Sequence, residues 1–410
     1  MATISLFRQL KIYTFNSRNI QSWPIKKLSH HIIKNRREDF RSVGPHYVYP
    51  KSHRSSYETL SRTSLSERRS SKPEIGSNTI SSIYPITWQP PTSGILSRLP
   101  ASWLPYAELI RVDKPTGIYY LFFPCLFSTL LAASIKVPYP MPSSILGTSF
   151  LFFAGAFIMR GAGCSINDLW DRNLDTKVAR TRFRPIARGA LSPPRALIFT
   201  GAQLLTGLGI LIQFPHQCLF YGTPSLLFVA IYPLAKRFTN YPQIMLGLTF
   251  SWGAIMGFPA LGIDLWNNNC ALKIATLLYL SNIAWTVFYD MIYAHMDIKD
   301  DAKAGIKSIA LRHDQRTKQI LSGLAITQVG LLVAIGLISS SGPLYFTFSC
   351  GGTALSLVSL IKKVDLKDPR SCWWWFVNGC WITGGTISTG MAADYLMKFW
   401  HNPKENQGSE

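Results

Sequence analysis

Residues 144–175 read SILGTSFLFFAGAFIMRGAGCSINDLWDRNLD, an apolar run that ends in a string of acids. The part from 144 to 166 is long enough to cross a bilayer, whose hydrocarbon core takes about 20 residues of helix. Asn167, Asp171 and Asp175 then recur at i, i+4 and i+8, so on a helix they stack along one face, with Asp168 beside them. The carboxylates therefore lie where a helix leaves the membrane and not at its middle.

Outward from this stretch, runs of similar length recur near 115–135, 195–213, 218–234, 243–263, 270–291, 319–339, 343–361 and 373–396, which makes nine candidate spans. Of 410 residues, 47% are hydrophobic and only 15% charged, against roughly 25% charged in soluble domains. An ordinary soluble enzyme is excluded. Loop charge supports the count of nine. Four alternate loops carry nineteen Lys and Arg, among them Arg172, Lys177, Arg180, Arg182, Arg184, Arg188, Lys236, Arg237, Lys303 and Lys307. The remaining loops hold only Lys136 and Lys273. Short basic loops stay on one side of a membrane. Arg111 and Lys114, ahead of the first span, fall on that basic side, and Trp373, Trp374 and Trp375 fit an interfacial aromatic belt.

The net charge of +21 is uneven. Residues 1–37 hold eight Lys or Arg and no Asp or Glu, with apolar residues interleaved. An acid-free amphipathic start predicts a mitochondrial transit peptide, which would turn the basic loops toward the matrix of the inner membrane. Residues 38–100 are rich in Ser and Pro and predict a disordered linker. The membrane domain should span 101–398, with a polar tail over 399–410. Nucleic acid is not an expected partner, since the rest of the chain belongs in the lipid bilayer. Seven cysteines, without a C-x-x-C pair, support neither a thiolate metal site nor a disulfide framework.

A second acidic cluster, Asp290-Met-Ile-Tyr293-Ala-His295-Met-Asp297-Ile-Lys-Asp300-Asp301, closes the sixth run. On one continuous helix Asp290, Tyr293, Asp297 and Asp301 would share a face, with His295 off it. Loop parity puts both clusters on the same side. Acids stacked near lipid repel and are poorly solvated, so they need cations. An oxygen donor set without a predicted His or Cys ligand suits a hard ion such as Mg²⁺, which binds a few carboxylates together with substrate phosphates. Lys177, Arg180, Arg184 and Lys307 follow the acids closely. Metal-holding acids beside oxyanion-holding cations describe a receptor for a metal-bound diphosphate; solvated loop charge obeying the topology rule is the alternative. Arg160 lies inside the apolar run, at a cost of about 2.5–3.5 kcal/mol unless paired or solvated. It suits the carboxylate of an acidic aromatic substrate, or else an ion pair with Asp168.

These stretches resemble the UbiA-type membrane prenyltransferases. Met159-Arg160-Gly161-Ala162-Gly163-Cys164 leading into Asn167-Asp168, with the run to Arg188-Gly189, is similar to that family's first signature. Residues 289–301, continuing to Gly305-Ile306-Lys307-Ser308, are similar to the second. Arg111–Gly117, Tyr232-Pro233-Leu234 and Lys236–Thr239 also resemble family stretches, and the similarity covers about 103–398. It implies an all-α fold of nine transmembrane helices around a central cavity. It further implies Mg²⁺ on Asp171, Asp175, Asp297 and Asp301, and a diphosphate held by Asn167, Asp168, Lys177, Arg180, Arg184 and Lys307. Arg160, Asn167 and Tyr293 would face the aromatic substrate, and Asp290 or Asp297 would draw off the phenol proton. The implied substrates are polyprenyl diphosphate and, in the ubiquinone branch of the family, 4-hydroxybenzoate, with other ubiquinone-biosynthesis enzymes as neighbours. Another aromatic acceptor would keep the same fold, whereas an acid-lined transporter would place its charges near the bilayer midplane.

Overall fold

The computed structural model describes residues 87–401, apart from residue 179 and the side chains at 300 and 304. The expected transit peptide, most of the expected linker and residues 402–410 lie outside the described residues. The described chain is helical throughout, with no strand among these residues.

A short helix, α1 (Leu104–Leu109), leads into α2 (Thr116–Ile135), α3 (Pro142–Asp175) and α4 (Pro193–Leu211). Then come α5 (Gln217–Gly222), α6 (Ser225–Ile231) and α7 (Ala235–Phe238), which run on almost without a break, and α8 (Pro242–Phe250) and α9 (Gly253–Ala260). The long α10 (Asn269–Ala294) is followed by two short helices, α11 (Ile298–Ala304) and α12 (Ile309–Arg312), and by α13 (Thr317–Ile338). A π-helical segment (Tyr345–Gly352) continues into α14 (Thr353–Lys363), and α15 (Pro369–His401) closes the described chain. Proline opens α3, α4, α8 and α15, at the position where its missing N–H costs nothing and its fixed φ favours the helix. Asn268 and Ser308 cap α10 and α12, their side chains accepting from the Ala271 and Leu311 amides at 2.9 and 3.1 Å.

Among the described residues six segments are long and apolar enough to cross a membrane: Thr116–Ile135, Pro142–Asp175, Pro193–Leu211, Gln217–Phe238, Asn269–Ala294 and Asp314–Ile338. The three other expected spans are helical too. The run near 243–263 is broken between α8 and α9, and the run near 343–361 changes helix type at Thr353. The last, α15, is 33 residues long but more polar. By length and composition the chain is thus a polytopic all-α membrane protein, with six qualifying spans among the described residues.

Helices α2 and α10 are the most enclosed of the six, and α4 the least. Their interior is apolar and aromatic: Tyr120, Phe123, Phe127, Leu131, Ile274, Leu278, Trp285 and Tyr289 belong to one buried cluster. Lipid supplies no hydrophobic drive between helices, so close backbone approach and polar bonds must help. At the α2–α9 crossing Ser128 Oγ donates to the Gly253 carbonyl at 2.8 Å and accepts from the Gly257 amide at 3.0 Å. A side chain at 257 would run into the α2 backbone at Ser128 and Thr129.

Candidate active site

The first acidic stripe forms as its spacing requires. Helix α3 is one unbroken piece of 34 residues, so Asn167, Asp168, Asp171 and Asp175 all belong to its last turns. The Asp168 and Asp171 side chains are 1% and 0% exposed. Burial without a partner would be prohibitive, and each carboxylate meets a cation from elsewhere in the chain. Asp168 takes Arg111 Nη2 at 2.7 Å and Arg184 Nη1 at 3.0 Å. Arg184 Nη1 also donates to both Asp175 oxygens, at 2.9 and 3.1 Å. Asp171 pairs with Lys236, at the start of α7, with Arg237 Nη2 at 3.9 Å. Half-buried Asn167 turns its amide to Asp168 Oδ1 at 3.5 Å.

The second segment departs from the continuous helix expected from its spacing. Helix α10 stops at Ala294, and the chain turns through His295 and Met296 before α11 starts at Ile298 with Asp297 as its N-cap. Shorter i to i+3 bonds replace the helical ones here: the amides of His295, Met296 and Asp297 donate to Ile292, Tyr293 and Ala294. Asp290 and Tyr293 thus end one helix, while Asp297 and Asp301 begin another, so the four do not share one helical face. His295 does point elsewhere. Its Nδ1 is 2.7 Å from the Met291 carbonyl and its Nε2 3.2 Å from Thr317 Oγ1, which fastens the turn to the start of α13.

A direct ion pair links the two segments. Arg180, from the loop after α3, grips buried Asp297 with Nε and Nη2, each at 2.7 Å, the two-pronged geometry that makes Arg–carboxylate pairs strong. Its guanidinium also lies 5.6 Å from the centre of the Tyr293 ring. Beneath, Tyr293 packs on Phe376 at 4.8 Å, and Tyr120 stacks on Tyr289 at 3.6 Å while donating to the Phe376 carbonyl. The tryptophan triplet splits: Trp373 reaches Tyr293 at 6.5 Å, Trp374 is half exposed, and Trp375 packs against the α10–α13 core. Asp290, Tyr293 and Asp301 are half-buried.

Some expected residues stand apart. Lys177 and Lys307 are exposed and form no ion pair among the described residues. Arg160 has no acid partner there either; its Nη1 donates to Cys164 Sγ, one turn along α3, and its Nε is buried without an acceptor. Its ion pair with Asp168 is not made, because Arg111 and Arg184 hold that carboxylate. Conversely, Arg111, Lys236 and Arg237 reach the acids although the sequence marks them only as loop charge and family stretches. A signal for Arg111 lies in the backbone. It adopts φ +56° just past the end of α1, its amide donating to the Glu108 carbonyl and the Val112 amide to that of Ala107. That is the helix-ending position usually filled by glycine. Burial alone would lower the pKa of Arg111, but the Asp168 carboxylate raises it well above the ordinary value. Burial lowers that of Lys114, Arg111 and Arg180 push the same way, and Asp113 opposes them. Lys114 thus lies among like charges, with Asp113 as its acid neighbour at 3.6 Å.

No group of three or more His, Cys, Asp or Glu side chains converges into a ready metal cage among the described residues. The donor chemistry still fits a hard cation: Asp168 Oδ2 and Asp171 Oδ1 are buried acceptors that receive no hydrogen bond, and carboxylate oxygen is the ligand that such an ion takes. Fold and site together define a helical membrane protein that gathers acids and arginines at one end of its spans to receive a highly charged group.

Residues 121–383 match the UbiA prenyltransferase family, and the chain belongs to that family. It is 46% identical over 308 residues to the mitochondrial 4-hydroxybenzoate polyprenyltransferase of Saccharomyces cerevisiae, covering 74% of this chain and 80% of that one. It is 37% identical over 318 residues to the Homo sapiens protein of the same name, covering 78% and 82%. A solved UbiA homolog from Aeropyrum pernix superposes with a TM-score of 0.53 at 20% identity, over 68% of this chain and 98% of that one. Another, from Archaeoglobus fulgidus with GPP and Mg²⁺ bound, gives 0.51 at 17%, over 72% and 99%. At such identities the match is one of fold.

Proposed function

We propose that the protein transfers a polyprenyl chain from polyprenyl diphosphate to the ring carbon beside the hydroxyl of 4-hydroxybenzoate, with Mg²⁺, in ubiquinone biosynthesis. Curated relatives across most of the chain carry that activity in their names, and the observation that carries the reading here is the Arg180–Asp297 link between the two acidic segments. We place the protein in the mitochondrial inner membrane with this face toward the matrix, on the basic loops and the acid-free start, and keep nine spans as the topology that this loop charge favours.

Asp171 and Asp175 from one segment, with Asp297 and Asp301 from the other, are the residues to hold Mg²⁺. Bound there, the ion supplies neutralisation of the charge that builds on the departing diphosphate. Arg111, Arg180, Arg184 and Lys236 bind and orient the phosphate oxygens, helped by Lys114, with Asn167 and Asp168 fixing the clamp; Lys177 and Lys307 stand at its exposed rim. Fixed cations aimed at developing negative charge need no rearrangement at the moment of reaction. Arg160 takes the acceptor's carboxylate, while Asn167 and Tyr293 bound its ring. As the bond from carbon to diphosphate oxygen breaks and the ring carbon bonds to the prenyl chain, Asp290 or Asp297 draws off the phenol proton; the dienone left then loses the hydrogen on the substituted ring carbon as its oxygen regains a proton, which restores the aromatic phenol.

Mass spectrometry of the product from 4-hydroxybenzoate and a polyprenyl diphosphate, with and without Mg²⁺, tests this. A prenylated acid formed only with the ion is expected. Product with a different phenol alone would reassign the acceptor, and ion flux in proteoliposomes without transfer would replace the enzyme reading by a transporter.

A further inference from the structure

Gly117 is buried in the first turn of α2, against the guanidinium of Arg160 from α3. A methyl group built on its Cα would overlap Arg160 Nε and lie 2.8 Å from Cζ and 2.9 Å from Nη2. The guanidinium therefore occupies the volume that any side chain at 117 would need. Its other end is tied by the Nη1 bond to Cys164 Sγ. Held between a bare Cα and a thiol, this cation has no acid partner among the described residues, although a charge at that depth calls for one.

We propose that Gly117 is a positioning residue for acceptor recognition: its missing side chain fixes where Arg160 presents its charge to a carboxylate-bearing aromatic substrate. The inference rests on the role given to Arg160 above and adds a reason for its placement. The three atoms nearest to such a methyl all belong to the far end of a flexible side chain. Alanine at 117 should thus displace Arg160 and leave the helix intact, since alanine suits a helix better than glycine.

The test uses the full chain in nanodiscs, as wild type, Gly117→Ala, Arg160→Ala and the double variant, with geranyl diphosphate as donor. Gly117→Ala should raise the KM for 4-hydroxybenzoate about tenfold or more, as expected for a displaced positioning group, and leave the donor KM in place. Its preference for 4-hydroxybenzoate over unsubstituted phenol should fall by a similar factor. In the Arg160→Ala background the same change should do nothing further, because the group it displaces is gone. Should Gly117→Ala prove poorly folded by circular dichroism, Cys164→Ala frees the other end of the guanidinium and should give the same split between substrates. An equal loss for both substrates, or the same factor with and without Arg160, overturns the inference. Wild-type protein that ignores 4-hydroxybenzoate overturns the functional reading first, and this inference with it.

Discussion

The two acidic segments are built differently. In the first, a single helix carries every carboxylate, and the counter-cations come from outside it: Arg111 before α2, Arg184 from the following loop, Lys236 from α7. In the second, the helix itself gives way, so that Asp290 and Asp297 lie on opposite sides of a turn anchored by His295. The first is a rigid comb whose teeth are spaced by helical geometry. The second is a turn between two helices, with Asp297 aimed by its tertiary bonds to Arg180. Regular spacing in a sequence therefore guarantees a shared face only where nothing interrupts the helix.

The sharpest break of the comparison removes one acid from each side. Asp171→Ala and Asp297→Ala should each lower turnover at least about 10³-fold, as for loss of a central charge-stabilising group, with helix content by circular dichroism unchanged. Near-normal prenylation by Asp171→Ala in Mg²⁺ would falsify the metal assignment for the comb. Next comes the bridge. Arg180→Ala removes a charge-assisted pair of about 1.5–3 kcal/mol and should cost about 100-fold in kcat/KM for the diphosphate. An Arg180→Ala protein with an unchanged donor kcat/KM would mean that the two segments work independently.

Arg111 separates stability from function within the comb. Arg111→Gly and Arg111→Ala both take from Asp168 one of its two cations, leaving Arg184, and should weaken catalysis alike. The glycine variant relieves the left-handed backbone and should be more stable than the alanine variant by about 1 kcal/mol, which thermal unfolding in detergent can read. Equal melting points would show that position 111 carries no strain. The smallest effect is in pH. Burial lowers the pKa of Lys114, so it sheds its proton below the alkaline range of a free lysine. The donor KM should rise on that alkaline limb, and Lys114→Arg, which stays charged, should flatten it. A limb that persists in Lys114→Arg belongs to another group.

Much of this molecule is legible in its residues. The comb is read directly from Asn167, Asp171 and Asp175, because α3 is long and uninterrupted. The turn at His295 is not, because the bond that holds it reaches Thr317, far along the chain. The clamp was only half visible. Arg180 and Arg184 follow the acids in sequence, but Arg111 and Lys236 come from distant loops, where a basic residue obeys the topology rule equally well. Lys177 and Lys307 illustrate the converse: proximity in sequence to an acid did not bring them to one. Span counting was blurred for a similar reason, since the break between α8 and α9 and the polar stretches of α15 leave hydropathy unchanged in kind but not in continuity.

Helix α3, at 34 residues, measures about 51 Å, and even a tilt of about 40° leaves it well beyond a hydrocarbon layer of about 30 Å. Its acidic end consequently stands at headgroup depth while its apolar length remains among acyl chains. A substrate with a long greasy tail can keep that tail dissolved in the leaflet throughout a catalytic cycle and offer only its polar head for processing. Neither reactant nor product need ever be extracted into water.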